Sequence, residues 1–173
     1  ALLLKAAESV FKEKGFVATT ADEIAIEAGV ARSAMYRHFT NKSDLFRHAL
    51  LVPFMDFIKE YTEAWQSQLA QPWDDEHLME TMVGLFYDSF ETHRDTLLAI
   101  AAASSALDKQ GTEELDNELE KFFATMFSIS KKEIIRRGWM SLESLDLTIR
   151  LTLGSIAASI VLSASHAVAQ APT

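Results

Sequence analysis

Arg32, Ser33, Tyr36 and Arg37 stand at i, i+1, i+4 and i+5, a spacing that gathers all four on one side of a helix. Arginine grips guanine O6 and N7 with two parallel hydrogen bonds, and a tyrosine can meet a thymine methyl or a phosphate. His38 and Lys42 follow where this helix ends and the next begins, suited to holding phosphates and fixing register. Thr20 offers a hydroxyl and a backbone N–H at another helix start, a further natural phosphate contact. The chemistry on offer is recognition of a polyanionic duplex. No catalytic set competes with it: there is no cysteine, no phosphate-cradling glycine loop, no nucleophile elbow and no His-Glu-x-x-His. The five histidines, at 38, 48, 77, 93 and 166, never fall three or four residues apart, so a helical metal pair is absent too.

Positioning these side chains falls to short helices with sharp punctuation. The periodicity predicts a first helix over Leu2–Lys14, with Leu3, Ala7, Val10 and Phe11 inward and Gly15 as its stop. Thr20 with Glu23 three residues on predicts a capping box opening a second helix, which turns Ile24, Ala25 and Ala28 inward and ends at Gly29. After Gly29-Val30-Ala31 a third helix takes Arg32–Phe39, and Asn41 with Asp44 starts a fourth. Two helices joined by a three-residue turn containing Gly form a helix-turn-helix, whose second helix enters the major groove. Core positions Ile24, Ala25, Ala28, Val30, Met35 and Phe39 should lock the pair.

The rest of the chain predicts longer helices. The fourth continues from Lys42 to about Gln68 with a kink at Pro53, and Gln71-Pro72 breaks it. A fifth runs from Asp74-Asp75-Glu76 to about His93, a buried sixth covers Thr96–Leu107, a seventh restarts at Gly111-Thr112 and stops near Gly138, and the last runs from about Ser144 to His166. With 6 Gly and 3 Pro in 173 residues there is little material for hairpins, so the fold class is all-α. The expected architecture is a three-helix domain carrying the helix-turn-helix over 1–48, followed by a helical bundle over 49–173.

Charge divides the chain the same way. The net charge is −9, but residues 1–48 hold 7 Lys/Arg against 6 Asp/Glu and the remainder carries −10. A polyanion must therefore meet the first part, where residues 30–48 reach +3. Nineteen residues from Leu151 to Ala169 lack any charged side chain, yet serines and threonines interrupt them every few positions, so burial against protein is expected and not a membrane span. No signal peptide opens the chain, and the absence of cysteine leans towards the cytoplasm.

The run Thr19-Thr20-Ala-Asp-Glu-Ile24-Ala25-Ile-Glu-Ala28-Gly29-Val30-Ala-Arg32-Ser33-Ala-Met-Tyr36-Arg37-His38-Phe39-Thr-Asn-Lys42-Ser-Asp-Leu45-Phe46 resembles the N-terminal domain of TetR-family transcriptional repressors. The shared pattern is an Ile-Ala to Ala-Gly-Val turn, a Tyr-x-His-Phe ending to the recognition helix and a Lys-x-x-Leu opening to the connecting helix. The resemblance implies a homodimer that binds a pseudo-palindromic operator on double-stranded DNA and leaves it when a small molecule enters the C-terminal body. Carried over by position, Thr20, Arg32, Ser33, Tyr36, Arg37, His38 and Lys42 would face DNA. Three positions depart from the pattern: Ala31 replaces a capping serine, at a cost of about 1 kcal/mol, Ser33 replaces glycine, and Ala34 replaces threonine.

In the body, Phe54, Ile58, Tyr61 and Trp65 fall on one face of the fourth helix, and Met79, Met82, Val83, Phe86 and Phe90 on one face of the fifth. Phe122, Phe123, Met126 and Phe127 join them from the seventh. A stripe of this kind is usually core, but its wealth of Phe and Met suits an adaptable apolar pocket. The expected effector is a small, uncharged or weakly charged lipophilic molecule touching Phe54, Tyr61, Trp65, Met82, Phe86, Phe90, Phe123 and Met126. No cofactor and no metal are expected. The last helix is apolar on all sides, with small Gly154 and Ala157 beside Ile156, Ile160 and Val161, which predicts a dimer interface against its twin. A helical interaction module, or an enzyme without DNA binding, is the alternative reading.

Overall fold

The computed structural model describes residues 2–139 and 141–169, with side chains apart from those of 142, 156, 157 and 160–169. Among the described residues every regular element is helical. We number the α-helices α1 (Leu2–Ala18), α2 (Ala21–Glu27), α3 (Arg32–Met35), α4 (Lys42–Phe46), α5 (Val52–Leu69), α6 (Asp75–Thr92), α7 (Arg94–Ala103), α8 (Lys109–Arg137) and α9 (Leu145–Ala169). The all-α expectation holds. No described helix is long and apolar enough to cross a membrane.

The chain forms two compact units, one of residues 1–57 and 95–118, the other of 58–94 and 119–173. Helices α5 and α8 therefore each contribute to both. The first unit is built around Phe11, Phe16 and Phe46, whose rings meet at 5.0–6.0 Å between centroids. Ala7, Phe11, Ile24 and Phe46 are fully buried, and Met35 and Leu45 nearly so. Gly15 interrupts α1 at φ 76° and ψ 163°, a conformation open essentially to glycine alone, so the predicted stop is present although helix resumes briefly beyond it. Thr19, buried just after, donates its hydroxyl to the Gly15 carbonyl at 2.7 Å.

Four boundaries differ from expectation, the first being the predicted sixth helix, which runs Arg94–Ala103, ends four residues before Leu107 and is exposed at Ala101 and Ala102. The third helix is α-helical only over Arg32–Met35, then tightens into a turn in which His38 N–H donates to the Met35 carbonyl at 3.0 Å. Ala31 at its N-cap makes no side-chain hydrogen bond, so nothing offsets the open start of a four-residue helix. The helix after Lys42 passes through a π-helical segment, Arg47–Leu51, before α5. Pro53 lacks the N–H that would continue the ordinary ladder, and Val52 N–H reaches back five residues to the Arg47 carbonyl, so the expected kink takes the form of a π-bulge just upstream. The seventh predicted helix starts at Lys109 and not at Gly111, because Asp108 accepts from Gly111 N–H at 2.9 Å and caps it earlier.

In the second unit Asp74 caps α6 by accepting from His77 N–H at 2.9 Å, and Gly138, at φ 69°, ends α8. The core centres on Tyr61, Phe86, Phe90 and Phe122. Phe86 and Phe90 stack at 4.1 Å, and Tyr61 meets their edges at 5.6 and 6.1 Å. The sequence put Met79 and Val83 on the same inward face as Met82. They are half exposed, because Leu78, Met82, Phe86 and Phe90 form the i, i+4 ridge that points inward and their neighbours are turned about 100° away.

Candidate functional site

The outward face of α3 is as the sequence spaced it. Arg32, Ser33, Tyr36, Arg37 and His38 are all exposed, while Met35 between them is buried and anchors the segment. Beneath it, α2 buries Ile24 and Ala25 and closes at Gly29, φ 65°, where Val30 N–H returns to the Ala25 carbonyl at 3.0 Å. That left-handed turn sets the direction in which α3 leaves. Val30, expected in the core, is 37% exposed, since the backbone bond and not its side chain makes the turn. Ala28 and Phe39 are half-buried.

The predicted capping box is present. Thr20 N–H donates to Glu23 Oε2 at 2.8 Å and Glu23 N–H donates to Thr20 Oγ1 at 3.3 Å. Lys14 adds an ammonium 2.7 Å from the other Glu23 oxygen. That contact, backed by the Thr20 N–H and hydroxyl, lowers the Glu23 carboxyl to about 2. Arg32 pairs with Asp22 of α2 at 3.0 Å, and its guanidinium carbon lies 5.5 Å from the Tyr36 ring centre. Both the Tyr36 hydroxyl and the Asp22 charge hold Arg32 more firmly protonated than usual.

Lys42 has a role that spacing alone did not reveal. Its ammonium donates to the carbonyls of Phe16 at 2.8 Å and Thr19 at 3.0 Å and sits 4.5 Å from the Phe16 ring centre. It thus closes the C-terminal end of α1, where a cation is favoured. Arg47 spans Asp44 and Glu114 at the start of α8, both at 3.4 Å.

The eight body residues expected around a ligand are not brought to one cavity. Phe54 is buried in the first unit against Phe57. Tyr61, Phe86 and Phe90 are packed on one another, and burial pushes the Tyr61 phenol well above its usual value. Phe123 lies under the Arg150 guanidinium at 4.6 Å. Of the eight, Trp65, Met82 and Met126 alone line a cavity of about 140 Å³ in the second unit. The remaining wall comes largely from α8 and α9, including Ser130, Glu133, Thr148, Ile149, Thr152 and Leu153. The sequence reading missed these because α9 looked like an interface over its whole length. Among the described residues Glu133 is the one ionisable group in the lining, and Arg136 and Arg137 bond its carboxylate and keep it ionised at lower pH than usual. Arg137, 8% exposed, also pairs with Asp75 and donates to the Trp73 carbonyl at 3.0 Å.

Of the expected dimer residues, Gly154 is exposed on α9. The side chains of Ile156, Ala157, Ile160 and Val161 lie outside the described residues. Leu147 and Leu151, one turn apart on α9, are each 60% exposed. Among the described residues no cluster of side chains suited to a metal occurs.

Residues 3–49, which contain the whole capped helix-turn-helix, match the model for bacterial regulatory proteins of the tetR family. Residues 3–49 are thus similar to a tetR-family N-terminal domain. It is 34% identical over 89 residues to the transcriptional repressor KstR2 of Mycobacterium tuberculosis, an alignment covering 51% of this chain and 41% of that protein. The chain spans less than half the length of the curated relatives it matches. Its fold is similar to that of the TetR-family regulator PfmR of Thermus thermophilus, with a TM-score of 0.72 at 18% identity over 91% of this chain and 84% of that one. It is also similar in fold to FadR of Bacillus subtilis, solved in complex with stearoyl-CoA, with a TM-score of 0.70 at 16% identity over 95% of this chain and 87% of that one. Two features mark the exposed face of α3 in this tetR-like domain: the uncapped Ala31 start of α3 and the pairing of Arg32 with Asp22.

Proposed function

We propose that this chain is a sequence-selective DNA-binding transcriptional regulator, a homodimeric repressor whose 1–48 portion reads an operator and whose 49–173 portion binds an effector and dimerises. The observation that carries the reading is the exposed row Arg32, Ser33, Tyr36, Arg37 and His38 on the second helix of a rigidly turned pair. Arg32 and Arg37 read base edges, Tyr36 meets a thymine methyl or phosphate, and Ser33 and His38 hold the backbone, which Thr20 joins only if its N–H and hydroxyl give up Glu23. Lys42 supports this surface from beneath by fixing α1, and reaches a phosphate only if it gives up its carbonyl partners. Exposed Leu147 and Leu151 support burial of α9 against a second copy, and a charge at Ile156 or Ile160 should yield monomers by sedimentation. Operator binding would go with the dimer, since two half-sites about 34 Å apart must be held at once.

The effector is a compact, uncharged lipophile. Engineered cavities near 150 Å³ hold a molecule about the size of benzene, and no base lines this one. A bound carboxylate or phosphate would find no free cation in the lining, because Arg136 and Arg137 beside it are engaged by Glu133. Binding favours a shape of the body that moves α5, which leads back through the π-segment to the recognition helices, and coupling of about 5–150-fold in operator affinity is expected. Screening single-ring neutral compounds by fluorescence of Trp65 and Trp139, both in the lining, tests this. Ligands that change fluorescence and release DNA support it, and a protein that answers only long-chain acyl thioesters contradicts it. DNA binding itself is tested by gel shift against fragments upstream of its own and neighbouring genes. Equal, weak binding to all fragments would favour a helical interaction module instead.

A further inference from the structure

We infer that Asp22 is a positioning residue for sequence selection, an acidic group that withholds Arg32 from the DNA backbone and leaves it for base edges. The inference rests on the proposed reading of DNA by α3. Asp22 lies in the first turn of α2 and Arg32 opens α3, ten residues later across the turn. Arg32 Nη1 donates to both Asp22 oxygens, at 3.0 and 3.2 Å, and the guanidinium leans over the Tyr36 ring. The side chain is thus held between a carboxylate and an aromatic face, with Nη2 and Nε outside the Asp22 bond.

Arginine at a DNA surface has a choice of partners. Phosphates are the stronger and more numerous anions, but contacts to them carry no sequence information. An arginine at the free start of a four-residue helix with no N-cap bond would sweep widely and take the nearest phosphate. Asp22 opposes this by occupying one amino group of Arg32 and tethering the guanidinium to α2. In water an exposed pair of this kind contributes little to stability, the two side chains being 55% and 59% exposed. Its influence grows when DNA displaces water from around it. Lys14 is already committed to Glu23 and Lys42 to the end of α1, so Arg32 is the cation whose release would most enlarge the backbone contact.

The test compares Asp22→Asn, Arg32→Ala and the double variant in the full chain. Two duplexes are used, one selected by the wild-type chain from a random pool and one scrambled to equal length and composition, each titrated over a range of salt. Asp22→Asn should bind the scrambled duplex about 3–10-fold more tightly, steepen the log–log salt slope by about 1, and reduce the selected-to-scrambled ratio by a similar factor. In the Arg32→Ala background the substitution should change none of these, and Asp22→Glu should restore the wild-type slope. An unchanged slope and ratio would overturn the inference, as would a gain that persists without Arg32. If the wild-type chain selects no sequence, the DNA-reading proposal itself falls and takes this one with it. If it selects one and Asp22→Asn behaves as wild type, only the role of Asp22 is lost.

Discussion

The two units use their charges differently. In the first, Lys14 pairs with Glu23 and Arg32 with Asp22, about one helix-and-turn apart, while Lys42 reaches the end of α1 and Arg47 reaches Glu114. What remains outward, Arg37 and His38 with the free side of Arg32, is a small directed patch on an acidic protein. In the second, Arg137 bonds Glu133 and also Asp75, 62 residues before it, and Arg150 ties Asp146 to Glu120. Of these residues Glu133 alone lines the cavity, whose wall is otherwise uncharged. The lesson is that the exposed face of α3 is set largely by caps and turns acting over three or four residues, whereas a cavity is set by whichever distant helices enclose it.

The contrast is broken most severely at the first unit's core. Phe46→Ala removes a fully buried ring from the Phe11–Phe16–Phe46 cluster and should cost about 3–5 kcal/mol, seen as a lowered denaturation midpoint with loss of DNA binding. Phe86→Ala should destabilise through the other cluster by a comparable amount, and a similar effect on DNA binding at temperatures where both variants are folded would blur the division between the units.

Next in size is the recognition face. Arg37→Ala should weaken binding to a selected duplex by about 5–150-fold and relax base preference, as loss of a bidentate contact does. Unchanged affinity and preference would remove Arg37 from the readout.

Lys42→Met separates a cap from a phosphate contact. Losing charge-assisted bonds to Phe16 and Thr19 should cost about 1–2 kcal/mol of stability, with little change in the salt slope of the folded protein. A slope reduced by about 1 with stability intact would put Lys42 on the backbone instead.

Much of the first unit was legible because its rules are local. Thr20 with Glu23, Gly15, Gly29, and Asn41 with Asp44 each act within three or four residues, and each appears as spaced. Val30 misled because a Gly-Val turn reads as core while its work is done by a backbone bond. Lys42 misled because its partners lie 23–26 residues away, at the end of α1 and just beyond it. In the body, periodicity found the apolar ridges, but which of Phe86, Phe90 and Met126 faces a void and which faces another ring depends on packing between helices far apart in sequence. Trp65, Met82 and Met126 were found. Thr148, Thr152 and Ser130 carry no apolar signal and were not.

The smallest effects probe the cap itself. Thr20→Ala should cost about 1 kcal/mol in denaturant melts. Because Glu23 is lowered to about 2 in the folded chain, its stabilising contribution is complete above the ordinary carboxylate value of 4.5 and fades as pH falls through about 2. Carbonyl NMR of Glu23 should therefore show titration near 2, moving up in Lys14→Met, and titration at the ordinary value in the wild-type chain would mean that the Lys14 contact is not kept in solution.

The central claim is that the patch on α3 reads sequence, and fluorescence polarisation tests it most directly. The full chain is titrated onto a duplex it has enriched from a random pool and onto its scrambled counterpart at the same salt. The account predicts at least roughly a thousandfold preference, the lower end of specific recognition, falling sharply in Arg37→Ala. Equal affinity for both duplexes, unaffected by Arg37→Ala, would contradict it.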